Sequence, residues 1–109
     1  MLSTDLRVVK SVNIAAASSG NNTIVAAVTD KRILVVQGIV IAGGIVNSKF
    51  QSGASGTDIT GLFYHVTGSG FSMPYSEIGW FRTGVGELLN LSLSGAIAVG
   101  GVLYYIEIE

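Results

Sequence analysis

The segment ELLNLSLS, residues 87–94, decides the fold class because its apolar and polar residues alternate strictly. In an extended chain, Leu89, Leu91 and Leu93 point to one side and the intervening Asn and Ser residues point to the other. This period of two predicts a strand with one buried and one solvated face, as in an antiparallel sheet.

Short runs rich in Val and Ile, separated by Gly, Ser and Asn clusters, fill the rest of the chain, and no stretch has a trustworthy helical period. We predict an all-β, antiparallel β-sandwich, jelly-roll-like, with about eight strands. The predicted strands are 6–14, 23–28, 32–42, 45–52, 60–66, 70–75, 78–82 joined loosely to 87–94, and 99–109. Residues 1–10 are predicted to form an N-terminal arm and the start of the first strand, and residues 11–109 a single sandwich domain. The lone proline, Pro74, predicts an edge strand or loop at 71–75.

The segment RILVVQGIVIA, residues 32–42, is apolar on both faces. One face of a two-layer sandwich packs on the opposite sheet, so we expect a second subunit to cover the other face. A loop of the same chain is the alternative. In GWFR, residues 79–82, Trp80 and Phe81 must face opposite sides, so one is expected in the core and the other at a neighbour or in solvent. The predicted subunit-interface residues are Ile33, Val35, Ile39, Ile41, Trp80, Phe81 and Arg82.

The amino-acid composition argues against some classes of binding partner. Charged residues make up 12% of the chain, about half the usual share, and the net charge is −1, which leaves no basic surface for nucleic acid. The longest apolar run, residues 33–46, contains Gln37 and is shorter than the roughly 20 residues of a spanning helix. We expect no nucleic-acid or membrane partner and, given 49% hydrophobic residues, association with other protein.

No motif predicts chemistry. TGVGE (83–87) and GASGTD (53–58) lack the spacing or the Lys of phosphate-binding loops and are predicted to be turns. The only histidine, His65, lies in an apolar run and is predicted to be structural. The carboxylates are scattered and Cys is absent. The sequence therefore predicts no catalytic, cofactor-binding or metal-binding residue and no enzyme, although the aromatic residues could line a sugar-binding face.

Three segments together resemble small all-β phage proteins of the capsid decoration (cement) type: 17–36, FQSGASGTDITGLF at 50–63, and 73–105. The resemblance implies a non-enzymatic virion protein, made in the host cytoplasm, that binds the capsid exterior as a homotrimer and stabilises the shell. Its partners would be copies of itself and the phage major capsid protein. The alternatives are a tail-fibre or spike tip module, or a carbohydrate-binding module. The residues of the arm expected to dock on the capsid are Leu2, Thr4, Asp5 and Arg7.

Overall fold

The computed structural model describes residues 8–109 as ten strands in two antiparallel sheets of five strands each, which form a sandwich without any helix in this part of the chain. The strands are β1 (Lys10–Ala16), β2 (Thr23–Val25), β3 (Arg32–Ala42), β4 (Val46–Ser52), β5 (Thr57–Asp58), β6 (Phe63–His65), β7 (Gly70–Met73), β8 (Phe81–Arg82), β9 (Leu89–Leu93) and β10 (Val99–Ile108). The predicted all-β antiparallel sandwich is confirmed. Over residues 8–109, no helix is long and apolar enough to cross a membrane.

The first sheet, sheet A, has the order β1-β10-β3-β7, and β8 also pairs with β3. The second, sheet B, has the order β2-β9-β4-β5, and β6 also pairs with β4. As Pro74 predicts, β7 ends just before it and lies at an edge of sheet A. The predicted joining of 78–82 to 87–94 was wrong, because β8 belongs to sheet A and β9 to sheet B.

The alternating leucines of β9 form the centre of the core. Leu89, Leu91 and Leu93 are each at most 2% exposed, and Phe50 of the neighbouring β4 is fully buried. Leu103 of β10 supplies the facing layer from sheet A and is also fully buried. The side chains of the two sheets therefore meet in one continuous apolar layer, which is what holds a sandwich together.

A β-bulge in β3 reverses which of its side chains face the core. The pairing with β10 shifts between Tyr104 and Tyr105, which lie opposite Gln37 and Val35, so that Val36 is the additional residue. Before the bulge, Ile33 and Val35 point into the core, and after it Val40 and Ala42 do so. Strict alternation would place Ile33, Val35, Ile39 and Ile41 on one face, and the bulge divides this set between the two faces.

An amide network ties two loops to the polar face of sheet B. Asn90 is fully buried, and its Oδ1 accepts a hydrogen bond from the Asn22 backbone N–H at 2.8 Å. Its Nδ2 donates to Asn21 Oδ1 and to Gln51 Oε1, each at 2.9 Å. Asn21 also bonds both the backbone and the hydroxyl of Ser55. The SGNN and SGAS turns are thus linked to each other, and within residues 8–109 no buried side-chain nitrogen or oxygen lacks a partner.

Candidate functional site

The predicted interface residues of β3 fall into two groups. Ile33 and Val35 are fully buried in the core of the sandwich and are not available to a partner. Ile39 and Ile41, beyond the bulge, lie on the outer face of sheet A, and each is 42% exposed. The expectation that β3 presents apolar residues to the outside therefore describes its C-terminal half only.

The loop 74–80 covers the outer face of the N-terminal half of β3. Leu34 and Val36 point outward, yet they are 4% and 0% exposed and cluster with Ile106 of β10. The loop runs beside them, where the Ser76 N–H donates to the Val36 carbonyl at 2.9 Å. Gly79 has a φ of 86°, and a Cβ atom added to it would overlap the Leu34 side chain, so both the backbone conformation and this close approach favour glycine. A loop of the same chain thus covers this half, while Ile39 and Ile41 stay uncovered within the subunit.

In the GWFR segment, the side chains of Trp80 and Phe81 face opposite sides, as the alternation predicts. Phe81 lies against Phe50 of the core, with ring centroids 4.8 Å apart. Trp80 is 48% exposed, and its Nε1 donates to the Pro74 carbonyl at 2.8 Å. Arg82 is exposed at the edge of sheet A, opposite Leu34. The other predicted contact residues, Leu2, Thr4, Asp5 and Arg7, lie outside the described residues.

One end of the sandwich is built from three turns that contain no charged residue: 43–45, 67–69 and 94–98. We call this the charge-free end. The turns contact one another, because the Gly43 N–H donates to the Ala98 carbonyl at 2.7 Å and the Gly68 N–H to the Ala42 carbonyl at 2.8 Å. Ile45 is 77% exposed at this end, and Val66, just before the second turn, is 61% exposed. With Ile39 and Ile41 nearby on β3, the end presents apolar side chains without the charges that normally keep such surfaces apart.

A cleft opens at the edge of the sandwich where β7 and β8 leave a gap along β3. Its volume is about 340 Å³, and we call it the aromatic cleft. Two pairs of core rings approach it, since Phe63 and Phe71 have centroids 4.3 Å apart and Phe81 packs on Phe50. The lining residues are Thr60, Phe63, Phe71, Ser72, Met73, Trp80 and Phe81. The lining therefore consists mainly of large apolar side chains, with the hydroxyls of Thr60 and Ser72 and no ionisable group.

The TGVGE motif is a closed turn. In TGVGE, the Gly86 N–H donates to the Lys31 carbonyl at 2.8 Å, and the Gly84 N–H donates to Ser52 Oγ at 2.8 Å. Ser52 Oγ in turn donates to the carboxylate of Glu87. The N–H groups of Gly84 and Gly86 are therefore occupied, and the carboxylate of Glu87 lies beside them, which disfavours an anion. Over the described residues there is also no group of three or more His, Asp or Glu side chains that could hold a metal ion.

His65 of β6 and Ser48 of β4 form a buried pair. His65 Nε2 lies 2.8 Å from Ser48 Oγ, and the two residues are 4% and 0% exposed. The His65 ring stacks near Phe71, at a centroid distance of 6.2 Å. The pair resembles two members of a hydrolytic triad, but its burial leaves no path for a substrate to reach the hydroxyl. Burial also lowers the pKa of His65 below its usual 6.5.

This lowered pKa predicts that acid destabilises the fold. The folded state keeps His65 neutral, whereas the unfolded chain takes up a proton as the pH falls through 6.5. The contribution of His65 to the free energy of unfolding should therefore be constant above that pH, decrease below it, and level off once the pH passes the lower pKa of the folded state. Urea denaturation between neutral pH and pH 5 measures this, and H65Q should remove most of the decrease. S48A keeps the histidine and should keep the decrease, so a pH-independent S48A variant would contradict this explanation.

Comparison with known proteins gives one informative match. No family model and no curated protein matches the sequence. A solved chain of the Bacillus endospore appendages, described as a novel family of disulfide-linked pili, matches with a TM-score of 0.54 and 17% identity. The match covers 99% of this chain and 94% of the other. At this identity the likeness shows a shared fold.

This match corrects the predicted resemblance to phage decoration proteins. The virion location and the shell-stabilising function were wrong with it, as were its fibre-tip and carbohydrate-module alternatives, and the capsid partner has no support. The reason lies in the motifs: SGNNT at 19–23 and FQSG at 50–53 supply the turns that Asn21 and Asn90 tie together. They are requirements of this sandwich and carry no information about a capsid.

Sequence reasoning missed Ile45 and the aromatic cleft. Ile45 had a signal, since it follows two glycines in a turn between strands, where polar residues are usual. The cleft had none, because its residues come from three separate segments, 60–63, 71–73 and 80–81, that only the fold brings together.

Proposed function

We propose that this chain is a non-enzymatic structural subunit whose copies associate with one another into an appendage-like assembly. The observation that carries the proposal is the charge-free end with the exposed apolar residues Ile39, Ile41 and Ile45. Large apolar surfaces of this kind mark contacts with other protein. The fold likeness to a pilus subunit supports the same role.

The proposed contacts between copies contain no disulfide link. The fold neighbour belongs to disulfide-linked pili, whereas this chain has no cysteine and cannot form such a link. Shape and apolar burial have to supply the association free energy instead. A charged group carried into such a contact without a partner is costly, so the charge-free end is well suited to it.

The proposal predicts that the doubly charged variant I39D/I41D dissociates the assembly. Two carboxylates on the outer face of sheet A would have to lose water in the contact without any cation opposite them. Sedimentation velocity at micromolar concentration should show wild-type chain as species much larger than a subunit and the variant as monomer. V85D, which charges a half-exposed residue in the turn 84–87, is the matched control and should behave as wild type. A wild-type chain that sediments as a monomer would overturn the proposal.

A further inference from the structure

The aromatic cleft offers an apolar cavity with few means of orienting a free ligand. Small-molecule sites combine apolar walls with several well-placed polar groups. Here Thr60 Oγ1 already accepts from the Phe50 N–H at 2.9 Å and donates to the Gly61 carbonyl at 3.0 Å. Trp80 Nε1 is bonded to the Pro74 carbonyl. Ser72 supplies one further hydroxyl, on the exposed edge strand β7, so an occupant is oriented mainly by contacts outside the cleft, as an apolar side chain carried by a protein chain is.

Ile45 has the properties that such an occupant needs. It is 77% exposed at the tip of the turn that joins β3 to β4. The turn is held in place because Gly43 bonds Ala98 and Gly44 packs so closely that an added Cβ would lie 3.0 Å from Ile97 Cγ2. Ile45 is therefore presented on a braced turn, which reduces the entropy lost on binding.

Resting on the proposed self-association, we infer that Ile45 of one copy inserts into the aromatic cleft of the next. Neither the charge-free end nor the lining of the cleft contains a charged residue, so the contact buries no ionised group of either. The cleft lies at the side of the sandwich and Ile45 at its end, so the two surfaces differ and the contact is heterologous. Each bound copy presents a new Ile45 and a new cleft, and repetition of the contact produces an open chain of subunits unless the rotation between copies closes a ring.

This inference is tested by two variants, each of which blocks one half of the contact. I45D removes the inserting side chain and keeps the cleft. S72F adds a ring on the edge strand β7 at a residue that lines the cleft and pairs opposite Ile39, and it keeps Ile45. Each variant alone should weaken association by about thirtyfold or more and sediment as a monomer. An equimolar mixture should form one-to-one dimers that grow no further, because I45D supplies the open cleft and S72F supplies the isoleucine.

Trp80, the single tryptophan of the chain, reports the occupancy of the cleft directly. Its emission should shift to the blue and become less accessible to a soluble quencher when wild-type chain assembles and when the two variants are mixed, but not in I45D alone. I78D is the matched control, since Ile78 is 87% exposed on the loop 74–80 and should tolerate the charge.

The outcomes separate this inference from the proposed function. If wild-type chain is a monomer, the proposed function fails. If wild-type chain assembles but I45D assembles equally well, or folded I45D and S72F stay monomeric when mixed, self-association stands and the insertion of Ile45 is wrong. Urea denaturation of both variants establishes that they are folded.

Discussion

The F50A variant is expected to lose about 3–5 kcal/mol of unfolding free energy. Phe50 is fully buried on β4, between the leucines of β9 and the ring of Phe81 across the sandwich. Removing the ring forfeits its transfer free energy and leaves a cavity that two hydrogen-bonded sheets cannot collapse to fill. Since domains of this size have only about 5–15 kcal/mol in total, the variant should lie near the limit of folding.

Urea denaturation monitored by circular dichroism measures this loss. Y64A is the control, because Tyr64 is 77% exposed on β6 and should change the unfolding free energy by no more than about 0.5 kcal/mol. An F50A variant as stable as Y64A would mean that the Leu and Phe layer is not the core of this protein.

Alanine substitutions at two neighbouring glycines of β10, Gly100 and Gly101, are expected to change the free energy of unfolding differently. Gly101 has a φ of 145° and lies between β1 and β3 in the middle of sheet A, opposite Ile14 and Val40. A Cβ added there would overlap the carbonyl oxygen of Ile39. G101A therefore combines an unfavourable backbone conformation with a clash against a paired strand, and we expect a loss of about 2–5 kcal/mol.

The adjacent Gly100 has no such constraint. The nearest atom to an added Cβ is the Ile14 carbonyl oxygen at 3.7 Å, an ordinary contact. G100A should therefore be neutral or raise the unfolding free energy by up to about 1 kcal/mol, because alanine restricts the unfolded chain. Thermal and urea denaturation of the pair check the prediction, and equal stabilities for the two variants would contradict the backbone geometry of β10.

How far the sequence determined the fold is clearest in β9 and β3. In β9 the alternation of three leucines gave the correct buried face because nothing interrupts the pleat. In β3 the same reasoning divided the residues incorrectly, because the bulge at Val36 inserts one residue and reverses the faces beyond it. A bulge depends on the partner strand as well as on the local sequence, so alternation alone could not reveal it.

The functional surface was less accessible to sequence reasoning than the fold. An apolar outer face on β3 was predicted, but the loop 74–80 that covers half of it reaches Leu34 through the missing side chain of Gly79, a detail of tertiary packing. The turn motifs were read as a family signature although they serve the amide network around Asn90. A string of turn residues reports on loop geometry, which unrelated assemblies with a similar sandwich can share.

Electron microscopy of the purified chain in the presence of a thiol reductant tests the central claim most directly. The proposed non-covalent self-association through the charge-free end predicts extended assemblies of wild-type chain that reductant does not disperse, and single subunits for I39D/I41D. Wild-type chain that appears only as single subunits, while remaining folded, would contradict it.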